Sequence, residues 1–166
     1  MAASTSAAFV LTTNAGLEAL VADELCAAAR AIGLTPPITQ EDIQLRPWNC
    51  FGRVLLKWPH AVDALLIDAL LRLRGVHDIL QHHMVMPLPD GADPPLALYE
   101  QLRVAPLTDG GPVPPLLGGT KTFRVSCIRE GDHAFTSLDV EREVGGALHE
   151  LYGACLLYTS PSPRDS

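Results

Sequence analysis

Three cations, Lys121, Arg124 and Arg129, fall within nine residues. Cations at strand ends are usually just solvated; the alternative use is to neutralise phosphates, which bind basic side chains by charge. A second feature follows in the chain, the pair Gly145-Gly146. It lies inside a segment where Val140, Val144, Ala147, Leu148 and Leu151 recur at the helical period. Each glycine in a helix interior costs about 1 kcal/mol relative to alanine. Close packing of the helix against a sheet explains the pair. So does close approach of a phosphate backbone to the face that carries Arg142, Gly146 and His149, and the two explanations are compatible. Arg142 also has Asp139 and Glu143 beside it, a spacing that suits an intrahelical ion pair.

Other chemistry is weakly signalled. His77, His82 and His83 fall in one predicted strand, but adjacent strand residues point to opposite faces, so His82 and His83 cannot both face one metal ion. Asp132, His133 and Ser137 are residue types of a hydrolytic set without a nucleophile elbow or an oxyanion hole. Trp48 and Trp58 are of the type that stacks on nucleic-acid bases; flanking the edge of a core is the favoured reading of both.

The elements that must position these residues are legible. Phe123 to Ile128 alternates, with Phe123, Val125 and Cys127 on one face, the period of a half-buried strand. Thr136 and Ser137 are both good N-cap residues, and Asp139 stands three after Thr136, a capping-box spacing. Gly153 is a stop. Nearer the start, Phe9 to Thr13 reads as a strand. Asn14 is placed to cap a helix reaching Ile32, with Leu17, Leu20, Val21, Leu25 and Ala28 as its apolar stripe and Gly33 as its end. Ile43–Leu45 and Gly52–Trp58 read as strands. A helix opens at Pro59-His60, carries Val62, Leu65, Leu66, Ala69, Leu70 and Leu73 on one face, and closes at Gly75. Val76 to Val85 is a further strand. The order β-α-β-β-α-β is the ferredoxin-like arrangement. From Pro87 to Gly119 the chain turns rich in Pro and Gly and reads as a linker or insertion, with a short helix over Leu96 to Val104.

The run from Lys121 to Gly153, with "FTS" followed by "EREVGGAL", resembles the THUMP domain of the tRNA guanine-N2-methyltransferases. Phe9 to Glu18 is similar to the "T-x-x-G-L-E" opening of the ferredoxin-like domain that precedes THUMP in that family. The two matches cover about half of the chain. The resemblance implies an α+β chain with a ferredoxin-like domain over 1–86, a linker over 87–119 and a partial THUMP domain over 120–154. It implies a tRNA partner gripped at the acceptor stem and 3′ end, with Lys121, Arg124, Arg129 and Arg142 as RNA-binding cations and Gly145 and Gly146 permitting close approach. A small activating protein subunit is a further partner in some relatives. In the family a separate Rossmann-like domain methylates the base with S-adenosylmethionine. This sequence has no Gly-rich loop after a strand and no Asn-Pro-Pro-Tyr or Asp-Pro-Pro-Tyr element, so the fragment itself is expected to hold no cofactor and no catalytic residue. The alternative within the resemblance is a non-catalytic adaptor that carries tRNA to a separate acetyltransferase.

Cys155 to Asp165 reads CLLYTSPSPRD. One reverse translation of it is a transposon-end adapter used in sequencing libraries. Residues 155–166 are therefore set aside from fold reasoning as a processing scar, and the native chain is expected to continue beyond Ala154.

Composition bounds the rest. With 48% hydrophobic and 19% charged residues the chain is globular. A net charge of −7 argues against a grip on nucleic acid by bulk charge, and leaves local cations to do it. Cys26, Cys50, Cys127 and Cys155 show no metal-ligand spacing, which suits a reducing compartment, cytoplasmic or nuclear. The start lacks the basic n-region of a secretory signal. The most apolar stretch, Ala64 to Leu71, is interrupted by Asp68 and is too short to span a bilayer.

Overall fold

The computed structural model describes residues 7–88, 93–104, 122–129, 131–153 and 155–156. They divide into two compact units, one running to His83 and the other starting at Met84. The α+β reading holds: helices lie beside an antiparallel four-stranded sheet in the first unit.

In the first unit β1 (Ala7–Thr12), β2 (Ile43–Leu45), β3 (Arg53–Trp58) and β4 (Asp78–His82) form a sheet in the order β2-β3-β1-β4. All three pairings are antiparallel, with Phe9 opposite Leu56 and Gln81, and Ile43 also opposite Leu56. Helix α1 (Glu18–Ala31) joins β1 to β2, and α2 (Ala64–Leu71) joins β3 to β4. This is the ferredoxin-like topology predicted from the element order. Phe9, Leu11, Val54, Leu56 and Trp58 meet Val21, Leu25, Cys26 and Ala29 of α1 and Leu66, Ala69 and Leu70 of α2 in one core. Alternation along the strands puts Ala8, Val10, Thr12, Arg53, Leu55 and Lys57 on the face turned away from both helices.

Several local expectations are corrected. Asn14 does not cap α1. The helix begins three residues beyond the expected start, after a turn in which the Leu17 N–H donates to the Asn14 carbonyl, and Leu17 at the N-cap makes no side-chain cap bond. The buried stripe is accordingly rotated to Glu18, Val21, Ala22, Leu25, Cys26 and Ala29, while Leu17 and Leu20 are exposed. Helix α2 starts later than Pro59, because the Asp63 carboxylate accepts from the Leu66 N–H at 2.8 Å and fixes the first turn there. The structural reading favoured for Trp58 holds: it is buried in this core, its indole N–H donating to the Ala61 carbonyl at 3.1 Å.

In the second unit the stretch read as a linker contains α3 (Pro94–Val104), which packs on α4 (Ser137–Tyr152). Helix α3 starts two residues earlier than expected because Asp93 accepts from the Leu96 N–H and Pro94 occupies the first turn. Leu102, Ala147 and Leu148 are buried, and the Tyr99 hydroxyl donates to Glu150 at 2.6 Å. The predicted strand over Phe123 to Ile128 is ladder-bonded only at β5 (Thr122–Phe123), which pairs in parallel with β6 (Cys155–Leu156). The alternation survives without the ladder: Phe123, Val125 and Cys127 are half-buried, and Arg124, Ser126 and Ile128 are exposed. Two residues of the segment set aside as adapter-derived thus enter the structure. They do so through backbone pairing, which depends little on side-chain identity, after Gly153 turns the chain at φ 63°.

Candidate nucleic-acid interface

Five of the six residues singled out in the sequence lie in α4 or in the segment before it, and the structure sorts them. Lys121 lies outside the described residues. Arg124 is exposed and has no ion pair or hydrogen bond with any described residue, so its guanidinium is available to a ligand. Arg129 is committed. Its Nε donates to the Ser137 hydroxyl at 3.3 Å and its Nη1 to the Phe135 carbonyl, bracing the loop that leads into α4. Arg142 makes the ion pairs its neighbours suggested, to Asp139 at 3.6 Å and to Glu143 at 3.4 Å, and stays 63% exposed. Surface pairs of this kind are weak, so a phosphate can compete for Arg142.

Local sequence fixes the start of α4. Thr136 and Asp139 form the predicted capping box: the Asp139 N–H donates to the Thr136 hydroxyl at 3.2 Å, and the Thr136 N–H donates to Asp139 Oδ2 at 2.8 Å. Hydrogen bonds from the Thr136 hydroxyl and backbone hold the Asp139 carboxyl below the usual carboxylate range. Glu141 reaches back to accept from the Cys127 N–H at 2.9 Å, taking the place of a strand partner. The glycines divide. Gly145 is buried in the unit, whereas a methyl group on Gly146 would meet nothing within 4 Å among the described residues. Tight packing therefore does not account for Gly146, and the open surface beside it suits close approach of a ligand backbone.

Sequence reasoning passed over Glu18, reading it only as part of a family signature. It is 2% exposed and charged. Its carboxylate accepts from the Gly52 N–H at 2.8 Å and the Gly16 N–H at 3.0 Å, and pairs with Arg46 at 3.4 Å. These donors, the Gly52 N–H foremost, pull its pKa down to about 2. The signal was available, because Glu18 precedes Val21, Ala22 and Leu25 at helical spacing and so falls on the buried stripe. Gly52 is itself dictated by the site: its φ is +69°, and a Cβ there would stand 2.4 Å from the Thr13 carbonyl oxygen.

Among the described residues there is no cluster of three metal-ligating side chains. His82 and His83 line an open cleft of about 530 Å³ with Glu41, Asp42 and Lys57. Burial pushes the His82 imidazole below its usual range, and its Nε2 has no hydrogen-bond partner among the described residues.

No family model matches the chain. It is 34% identical over 157 residues to a tRNA (guanine(6)-N2)-methyltransferase of Thermus thermophilus, an alignment covering 92% of this chain and 38% of that enzyme. The crystal structure of TrmN from Thermus thermophilus superposes with a TM-score of 0.59 at 32% identity, over 93% of this chain and 40% of that one. The chain is a homologue of the tRNA guanine-N2-methyltransferases. The match spans both compact units, whereas a tRNA sulfurtransferase of Edwardsiella ictaluri, 38% identical over 89 residues, aligns with 52% of this chain and 15% of its own length. The chain therefore spans well under half the length of the relatives it matches. The four-stranded sheet is antiparallel throughout, and among the described residues no Gly-rich loop follows a strand into a helix. No helix among the described residues is long and apolar enough to cross a membrane.

Proposed function

We propose that this chain is the tRNA-binding portion of an S-adenosylmethionine-dependent tRNA guanine-N2-methyltransferase, with a ferredoxin-like part and a THUMP-like part acting together on RNA. The alignment to a tRNA methyltransferase along 92% of the chain carries this reading, because it takes in both units. The methyl donor would be held by a separate domain. Recognition would rest on RNA shape and on the unpaired 3′ end, since the A-form groove hides most sequence information. Arg124 would contact phosphate directly. Arg142 would do so by exchanging a weak surface pair for a stronger one. Arg129 would act through the loop it braces, and Lys121 adds charge to the same stretch of chain.

Filter binding of the chain to end-labelled total tRNA, across a salt series, tests the proposal. Binding that weakens with salt, with a slope reduced by about one when Arg124 is replaced by Ala, is the expected result. Equal affinity for tRNA and for a DNA duplex of the same length would sink it. Guanine methylation by the complete protein separates the methyltransferase from the adaptor reading. Binding without methylation favours the adaptor.

A further inference from the structure

The loop between β2 and β3, residues 46–52, is longer than a hairpin needs and is held in an uncommon conformation. Two residues suffice to turn a hairpin. Here seven intervene, and three that are not glycine lie in the left-handed region: Arg46 at φ 49°, Trp48 at φ 58° and Asn49 at φ 61°. Such residues are infrequent outside glycine and cluster at functional sites. The loop also carries two large aromatic side chains on the surface, Trp48 at 49% and Phe51 at 63% exposure.

Both rings are held in place. Trp48 stacks on His82 with ring centroids 5.4 Å apart and planes at 22°. His82 pairs with Ala8 at the far end of the sheet, so the loop folds back over the helix-free face. The Arg46 guanidinium lies 4.8 Å over the Phe51 ring. Arg46 is anchored in turn by Glu18, whose carboxylate also takes the Gly52 N–H. One buried carboxylate thus ties down both ends of the loop.

We propose that the Arg46–Phe51 loop is a stacking platform for unpaired nucleotides, with bases on Trp48 and Phe51 and the exposed edge of Arg46 on the adjoining phosphate. This rests on the tRNA reading above and extends it to a second site, in the ferredoxin-like unit. Aromatic rings take bases of any sequence because every base has a π-face. Arg46 and Arg53 put two cations at the ends of the loop, while farther along the helix-free face Lys57 is balanced by Glu41 and Asp42, which line a cleft with it, and Asp78 lies on β4.

The two tryptophans make the test direct. Trp58 is buried and Trp48 is exposed, so iodide quenches Trp48 selectively in the unaltered chain. Iodide quenching and filter binding are followed together as end-labelled total tRNA is added. Protection of Trp48 from iodide at the concentration that gives half-maximal binding supports the platform. So does a roughly tenfold loss of affinity in Trp48→Ala, with Trp48→Phe within about threefold of the parent. If tRNA binds and Trp48 stays fully quenchable, the platform is overturned while the tRNA reading stands, and the loop must serve another partner such as a protein. If no tRNA binds, both readings fail together.

Discussion

The two units solve the same packing problem to different extents. The first closes a four-stranded sheet under two helices and buries fifteen side chains in one cluster. The second sets two helices against each other beside a parallel pair only two residues long, with Leu102, Ala147 and Leu148 as its buried apolar side chains among those described. Two-stranded sheets are marginal in water. Large apolar side chains are exposed in both units, among them Phe51 and Leu71 in the first and Ile128 and Leu138 in the second. The segment that most specifically resembles THUMP thus lies in the unit with fewer buried apolar side chains among the described residues.

Leu25→Ala, at a fully buried position between sheet and helices, should cost about 3 kcal/mol in urea denaturation, and Leu102→Ala, on the α3–α4 contact, about 1 kcal/mol. Equal costs would mean that the second unit is as well packed as the first. The charge buried in the first unit gives a sharper probe. Glu18 has a folded pKa of about 2 against an ordinary value of 4.5. A depressed carboxylate pKa means that the unfolded chain binds the proton more readily. The stabilisation is therefore complete above about pH 4.5 and is lost as pH falls towards about 2. Thermal midpoints measured from pH 6 to pH 2 should fall less steeply in Glu18→Gln than in the parent. A parallel fall in both would remove Glu18 from the account.

Smaller effects test the second unit. Thr136→Ala removes the hydroxyl of the capping box and should lower stability by about 1 kcal/mol, read as lost helicity in the far-ultraviolet signal on heating. Gly146→Ala runs the other way. The added methyl meets open space, so α4 should gain up to about 1 kcal/mol. If the surface beside Gly146 receives an RNA backbone, the same change should weaken tRNA binding while raising the melting temperature. A gain in stability with unchanged binding would leave Gly146 without a role in recognition.

Local signals carried well from sequence to structure. The capping box at Thr136 and Asp139, the left-handed stop at Gly153, the Arg142 ion pairs and the α4 stripe all depend on residues within one or two turns of each other, and each is present. Errors arose where distant partners decide. Asn14 looked like a cap, but the Glu18 carboxylate, drawn in by Gly52 and Arg46, sets where α1 begins and which face it buries. The strand over 123–128 kept its alternation and lost its ladder, because alternation reports which side is apolar and a ladder needs a neighbour.

The sequence by itself therefore determined the order of elements, the ferredoxin-like topology of the first unit and the kinship with tRNA-modifying enzymes, because periodicity, caps and motif residues are local. Only the tertiary structure decided which cations are free. It left Arg124 open and spent Arg129 on its own loop. It also sent Trp58 into the core and kept Trp48 on the surface. Residue type is identical in each of these pairs, and what separates the members is the set of groups that folding brings within hydrogen-bond or van der Waals reach.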